Sequence, residues 1–145
     1  MLNNLFPNVR PRRLRKNKTI RGLVSETKLL KSKLIQPLFV SESISKKQPL
    51  ELMPGQFLFS KDLLHEEIEI LLNLGIKTIA LFPNIPENLK DADGTNALNE
   101  QNFICKLVSE IKDRYPELVL ITDVALDPYT ISGHDGIIKN DVVDN

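Results

Sequence analysis

Cysteine is nearly absent from this chain, which carries a single one, Cys105, in 145 residues. One thiol excludes an intrachain disulfide and is consistent with a reducing compartment. No apolar run approaches the roughly 18 residues that a membrane span needs, and no apolar segment follows a basic start as in a secretory signal. The P-loop, GxGxxG and CxxC patterns are missing too. Together these absences predict a cytoplasmic protein that binds no membrane.

The composition is that of a globular domain with an uneven distribution of charge. Hydrophobic residues make up 41% and charged residues 26% of the chain, whose formal net charge is zero. Residues 1–33 hold ten lysines or arginines and one acid, a net charge of +9, which leaves −9 on residues 34–145. Such a basic arm can bind nucleic acid or membrane phosphates, or lie on an acidic surface of its own body or of a neighbouring subunit. Because the arm has no interleaved aromatic residues, we expect the acidic protein surface and no nucleic-acid partner.

Hydrophobic periodicity predicts alternating strands and helices after the arm. In chain order they are a strand over Leu34–Val40, a helix over Lys61–Leu74, a strand over Thr78–Phe82, a helix over Glu100–Arg114 and a strand over Leu118–Leu126. Ser60 is the expected N-cap and Gly75 the expected C-cap of the first of these helices. Residues 41–59 and 84–98 are expected to be polar loops, and the arm to hold only a short helix near Ile20–Thr27. Apolar strands between amphipathic helices indicate an α/β fold whose parallel sheet carries the long loops at its carboxyl ends.

Three carboxylates follow the last predicted strand, at the end that faces the active site in parallel α/β proteins. They are Asp123, Asp127 and Asp135, in a segment that Gly133 and Gly136 allow to fold tightly. Such carboxylates can coordinate a hard cation or hold a substrate amine in its ammonium form. The alternative is structural, since aspartates are also common in turns for their local hydrogen bonds.

Other side chains that could act as ligands, acids, bases or nucleophiles have structural explanations. His65 occupies a polar helix position and is expected in solvent, and Cys105 is expected to pack beside the apolar face of its helix. His134 is expected to be neither a ligand nor an acid or base. Residues 90–94 resemble part of a calcium loop but lack the later glutamate, so no ion is expected there.

Seven blocks of the sequence resemble the N-terminal part of the 5-aminolevulinate dehydratase family, also called porphobilinogen synthase. In the family's order they are Arg10–Arg15, Gln36–Val40, Met53–Gly55, Leu74–Ile76, Ala80–Pro83, Lys90–Gly94 and Asp123–Gly136. They cover nearly the whole chain, and the last block is the most specific. One departure is Ser132, where family members often have histidine before the following glycine.

The resemblance implies a fold, a reaction and roles for the aspartates. Family members are TIM barrels that condense two 5-aminolevulinate molecules into porphobilinogen in heme biosynthesis, commonly as octamers in which an N-terminal arm wraps a neighbour. Asp123 matches the family's aspartate that faces the substrate amino group. Zinc-type members have cysteines where this chain has Ala125, Asp127 and Asp135. The resemblance therefore implies the aspartate-rich type, with magnesium or potassium rather than zinc at Asp127 and Asp135.

The resemblance also implies an incomplete barrel. A (β/α)8 barrel needs about 250 residues, whereas about three β/α units are predicted here, over residues 34–145, after the arm of residues 1–33. The family's Schiff-base lysines lie on later strands, so no residue, Lys139 included, is assigned as the nucleophile, and the chain alone is expected to be inactive. The alternatives are a non-catalytic fragment that acts through interaction surfaces and a nucleic-acid-binding arm.

Overall fold

The computed structural model describes residues 12–140 and 142–144. The chain divides into two compact units, residues 1–30 and residues 31–145, each with its own internal contacts. The arm predicted over residues 1–33 lies partly outside the described residues, and its boundary stays a prediction.

The described part of the first unit contains one short helix, α1, which spans Lys18–Leu23. A 3₁₀ turn at Arg13–Arg15 precedes it. The helix begins earlier than predicted because Asn17 caps it, its side chain accepting a 2.9 Å hydrogen bond from the Ile20 amide. An asparagine directly before the first helical turn is the signal that would have placed this start.

Five strands form the central sheet of the second unit. They are β1 (Gln36–Val40), β2 (Gln48–Pro49), β3 (Phe57–Phe59), β4 (Thr78–Pro83) and β5 (Val119–Thr122). Their order in the sheet is β2-β3-β1-β4-β5, and all pairs are parallel except that of β2 with β3. Leu38 of β1 lies opposite Leu81, and Ala80 lies opposite Ile121 of β5. The predicted α/β class with a mostly parallel central sheet is confirmed.

The predicted strand boundaries need three corrections. The single polar loop predicted over residues 41–59 is wrong, because this segment supplies β2 and β3. The three apolar residues of β3 are too few to show the alternation that identifies a strand. The first strand begins at Gln36 rather than Leu34. The last predicted strand ends at Thr122, where its pairing with β4 stops.

Two helices follow the strand ends. Helix α2 spans Lys61–Leu74, and helix α3 spans Phe103–Arg114. Ser60 lies at the predicted N-cap of α2, and Gly75 closes that helix with a left-handed φ of 83°, which favours glycine. The start of α3 falls later than predicted, because Asn102 caps it by accepting a 2.9 Å hydrogen bond from an amide of the first turn.

One face of the sheet packs against both helices and forms the core. The buried cluster comprises Leu38, Val40, Phe59, Leu64, Ile68, Leu71, Ile79, Leu81, Leu107, Ile111 and Leu118. Side chains alternate across a strand, so Phe39, which lies between Leu38 and Val40, faces away from the helices. Its ring stacks on that of Phe82, with the centroids 5.5 Å apart. The helices therefore cover one face of the sheet, and an aromatic pair lies on the other.

His65 is buried between the helices, so its predicted exposure to solvent is wrong. The residue is 5% exposed, and its Nε2 lies 3.1 Å from a carboxylate oxygen of Glu110 on α3. The second oxygen of Glu110 lies 2.6 Å from the Lys61 ammonium. A polar position on α2 thus faces a polar position on α3 rather than water, which the periodicity of one helix does not reveal.

A two-stranded hairpin ends the described chain. Its strands, β6 (Ile137–Lys139) and β7 (Val142–Asp144), pair antiparallel and form a sheet of their own. This hairpin was not predicted from the sequence. In the part of the chain that the structure describes, no helix has the length and apolar character needed to cross a membrane.

Candidate functional site

A cavity of about 620 Å³ lies at the carboxyl ends of β1, β4 and β5. Phe39 and Phe82 line it from the sheet, and residues 122–129 line it from the loop after β5. Most of the other lining side chains are also apolar. A concave, largely apolar cavity with a few polar groups is the usual form of a small-molecule site, and the carboxyl ends of parallel strands are its usual place.

Two of the three predicted aspartates lie in the wall of this cavity. Asp123 is the first residue after β5, so the sheet fixes its backbone. Asp127 begins a 3₁₀ turn over Asp127–Tyr129. Both side chains are solvent-exposed. The structure therefore brings two carboxylates to one mostly apolar cavity, where each can meet a cation or an ammonium group.

Asp135 binds the backbone at the start of the turn that holds Asp127. Its Oδ1 accepts hydrogen bonds from the amides of Leu126 and Asp127, at 2.6 and 2.9 Å. Asp135 is not among the residues that line the cavity. This carboxylate thus makes the kind of loop-folding contact that the structural alternative anticipates for aspartates.

The carboxylates suit a hard cation in their chemistry, but they do not form a complete ligand set. Hard divalent cations take about six to eight oxygen ligands. Within residues 12–140 and 142–144, no group of three or more histidine, cysteine or acidic side chains is placed to hold a metal ion. One oxygen of Asp135 is already engaged by two amides. Magnesium or potassium at Asp127 and Asp135 stays a prediction.

The segment of residues 123–136, here called the aspartate loop, is held together by its own buried polar groups. The Thr130 hydroxyl lies 3.0 Å from the carbonyl oxygen of His134, and Thr130 is buried. Tyr129 is also buried, and this burial raises the pKa of its hydroxyl, so the ring lines the cavity as a neutral group. The His134 side chain is exposed, and only its backbone contributes to these contacts.

A second loop, between β4 and α3, contacts the aspartate loop. The backbone of Asp91 pairs with the segment around Thr130 as an isolated parallel bridge. The Asp91 carboxylate folds its own loop, accepting hydrogen bonds of 3.0 Å from the amides of Asp93 and Thr95. From the sequence, this segment was weighed as an ion site and as one block of the family resemblance, and its contact with the aspartate loop was not predicted. The available signal was Asp91 itself, because an aspartate side chain often accepts a hydrogen bond from the backbone amide two residues later and so forms a turn.

Cys105 is exposed and lies in the cavity wall, so its predicted packing on the helix is wrong. It lies in the first turn of α3, two residues before the buried Leu107. Successive helical residues are about 100° apart, which places Cys105 roughly opposite Leu107 around the helix. The thiol therefore points away from the core that Leu107 joins.

Comparison with known proteins identifies the family. The family model described as delta-aminolevulinic acid dehydratase matches residues 8–145. The chain belongs to this family. The resemblance that seven sequence blocks indicate is therefore confirmed.

Relatives within the delta-aminolevulinic acid dehydratase family match most of this chain. The protein of that name from Chlamydia pneumoniae is 48% identical over 136 residues, which make up 94% of this chain and 41% of that protein. The one from Ruminiclostridium josui is 41% identical, covering 94% of this chain and 65% of its own length. The chain therefore spans less than half of the Chlamydia relative.

A solved relative shares the fold. It is the delta-aminolevulinic acid dehydratase (porphobilinogen synthase) of Toxoplasma gondii ME49, crystallised in complex with the reaction product porphobilinogen. It matches with a TM-score of 0.84 and 36% sequence identity, over 93% of this chain and 38% of that one. The α/β fold of this chain is thus one that a member of this family also has.

Proposed function

We propose that the chain supplies the N-terminal part of a porphobilinogen synthase, a hydro-lyase that condenses two 5-aminolevulinate molecules into porphobilinogen in heme biosynthesis. Similarity over 94% of the chain to a delta-aminolevulinic acid dehydratase supports the proposal, as does the relative solved with porphobilinogen. The observation that carries it is the cavity at the strand ends, with Asp123 and Asp127 in its wall.

Asp123 is the residue that we assign to the substrate. 5-Aminolevulinate carries an amino group that is an ammonium ion at neutral pH, and the Asp123 carboxylate pairs with it. The apolar rings of Phe39 and Phe82 line the same cavity, whereas Asp123 itself is exposed. A hydrogen bond between an ammonium group and a carboxylate is charge-assisted and therefore stronger than one between neutral groups. Asp123 therefore orients the amine.

The Schiff-base nucleophile is assigned to no residue of this chain. Such a lysine needs an enclosed site that lowers its pKa. Lys139 follows the aspartate loop, but it lies exposed in the β6–β7 hairpin and pairs with Asp144. Within the proposal, the chain positions the substrate and a further part of the barrel supplies the amine.

Asp127 and Asp135 are proposed to bind magnesium or potassium rather than zinc. Their oxygens match hard cations, whereas zinc sites of this type use thiolates. When bound, the cation would supply positive charge that polarises a substrate oxygen. Titrating the full chain with Mg²⁺ and Zn²⁺ by calorimetry tests this assignment. Asp127→Asn should abolish the Mg²⁺ heat and the control Asp93→Asn should not; tight zinc binding in both variants would contradict the assignment.

The proposal extends to the architecture and assembly. β1, β4 and β5 run parallel in chain order with both helices on one face, as the first units of a (β/α)8 barrel do. The +9 charge of residues 1–33 matches the −9 of the remainder, which supports an arm docked on a neighbouring subunit of a cytoplasmic homo-oligomer. Deleting residues 1–30 should shift the protein to smaller assemblies in size-exclusion chromatography with light scattering. Unchanged assembly would refute the docking role.

A non-catalytic role is the second candidate, and the outer edge of β5 favours it. Val119 is 55% exposed and Ile121 is 42% exposed. Within the described residues β5 pairs only with β4, so one edge of the strand carries free N–H and C=O groups. A chain that acts through this edge would bind a partner protein, and replacing Asp123 would not change that binding.

Calorimetric titration of the full chain with 5-aminolevulinate separates the two candidates. Hydrogen bonds to charged groups contribute about 1.5–3 kcal/mol, so Asp123→Asn should weaken binding about tenfold or more. Asp93→Asn, an exposed aspartate outside the cavity wall, is the matched control and should bind as the wild type does. Binding that Asp123→Asn leaves unchanged, or no binding by the wild type, would contradict the proposed function.

A further inference from the structure

Asp91 organises a compact turn beside the candidate site. Its Oδ1 accepts hydrogen bonds of 3.0 Å from the amides of Asp93 and Thr95, and the Thr95 hydroxyl donates to its Oδ2. The hydroxyl and the amide of Thr95 lower the pKa of the Asp91 carboxyl. A carboxylate with three donors fixes the backbone of residues 91–95 in one conformation.

The backbone of Asp91 joins this turn to the aspartate loop. Its N–H donates to the Tyr129 carbonyl at 3.2 Å, and its C=O accepts from the Ile131 amide at 3.0 Å. Among the described residues, the backbone hydrogen bonds that tie residues 123–136 to another part of the chain are these two. One residue therefore supplies both of the loop's backbone attachments beyond its own ends.

Gly94 allows the two loops to approach closely. It is buried, with a φ of +64°, and a Cβ atom added there would lie 3.4 Å from Cγ2 of Thr130 and 3.6 Å from Cβ of Tyr129. The left-handed conformation favours glycine, and the neighbouring atoms would lie at ordinary van der Waals distances from a Cβ atom. The turn of residues 91–95 thus packs against the segment around Thr130, to which the backbone of Asp91 is hydrogen-bonded.

The attachment continues inside the aspartate loop to the cavity. Asp127 and Tyr129 belong to one 3₁₀ turn, and Asp135 holds the amides at the start of that turn. We infer that Asp91 is a positioning residue, which anchors the aspartate loop so that Asp127 and Tyr129 face the cavity. The consequence for substrate rests on the proposed function, whereas the anchoring itself does not.

Hydrogen exchange of the full chain tests the anchoring directly. Asp91→Ala should speed exchange at the Ile131 and Leu126 amides about tenfold, which corresponds to about 1.4 kcal/mol, and leave the amides of β1 and β4 unchanged. Thr95→Val should do the same to a smaller degree, and Thr95→Ser, which keeps the hydroxyl, should restore protection. Asp93→Asn is the control, because Asp93 gives the turn only its amide.

A binding measurement distinguishes failure of the anchoring from failure of the proposed function. Asp91→Ala should also weaken 5-aminolevulinate binding, by a smaller factor than Asp123→Asn. Unchanged exchange at Ile131 in Asp91→Ala would overturn the anchoring, whatever the binding. If exchange is faster in Asp91→Ala than in the wild type, but the wild type binds no 5-aminolevulinate, the anchoring is supported and the proposed function is contradicted. If Asp91→Ala unfolds the whole chain, the Thr95→Val and Thr95→Ser pair decides by the same criterion.

Discussion

The two faces of the parallel sheet are occupied differently. On one face, helices α2 and α3 bury Leu38 and Ile79 in a continuous core. On the other, Phe39 and Phe82 stack beside a cavity whose wall carries Asp123. Because side chains alternate along a strand, neighbouring residues point to opposite faces. At the strand ends the cavity wall also includes Leu81 of the core and Cys105 of α3. The first face supplies the stability of the unit, and the second supplies the candidate chemistry.

The largest expected effect concerns the cavity face, where the chain alone should form no porphobilinogen. In the proposed reaction the Schiff-base lysine requires an enclosed site, and the proposal assigns that lysine to no residue of this chain. A porphobilinogen assay on the full chain checks this, together with borohydride trapping in 5-aminolevulinate. A trapped adduct on one lysine, or measurable turnover, would contradict the expectation that the chain alone is inactive.

On the helix face, Leu64→Ala should be strongly destabilising. Leu64 is fully buried in the core, and leucine-to-alanine changes in such sites cost about 2–5 kcal/mol in the free energy of unfolding. Phe39→Leu, on the cavity face, should cost about 1 kcal/mol. Urea unfolding measures both values. A larger loss for Phe39→Leu would reverse the roles of the two faces.

Where the loops meet at the cavity, Gly94→Ala should be destabilising by about 1–2 kcal/mol, the cost of the left-handed conformation for a residue with a Cβ atom. Gly22, in α1, is the matched control. A Cβ added at Gly22 meets nothing within 4 Å. Gly22→Ala should therefore leave stability unchanged or raise it slightly through helix propensity. Equal unfolding midpoints for the two variants would contradict the expected cost of the left-handed conformation at Gly94.

The smallest expected effect is a pH dependence on the helix face. Lys61, and after it His65, lower the pKa of the Glu110 carboxyl below its ordinary value of 4.5. A carboxyl with a lowered folded-state pKa adds stability above its unfolded pKa and loses it as the pH falls through the folded value. The difference in urea midpoint between the wild type and Glu110→Gln should therefore be present at pH 6 and shrink at acid pH. A difference that grows towards acid pH would contradict the sign.

Sequence patterns predicted several elements of the helix face of the sheet. Capping residues Ser60 and Gly75 placed α2 correctly, and apolar runs placed β4, because these signals depend only on neighbouring residues. The family followed from ordered blocks, above all that of residues 123–136. His65 was misplaced, because its partner Glu110 lies far along the chain.

The cavity side was less accessible to prediction, since its contacts are long-range. The sequence indicated that Asp123 and Asp127 follow a strand, and the structure places both in one cavity wall. It did not indicate that Asp91 bonds the segment around Thr130, because no local pattern reports a pairing between two separate loops. The strand β3, with three residues, was too short to show a period.

The most direct test of the assignment of chemistry to the cavity face is to map porphobilinogen binding on the full chain by amide chemical shifts. The largest changes are expected at Phe82, Asp123 and Asp127, around the cavity, with little change on the outer surface of α3 at Lys106 and Asp113. Shifts centred on Lys106 and Asp113, with residues 122–129 unaffected, would contradict the account.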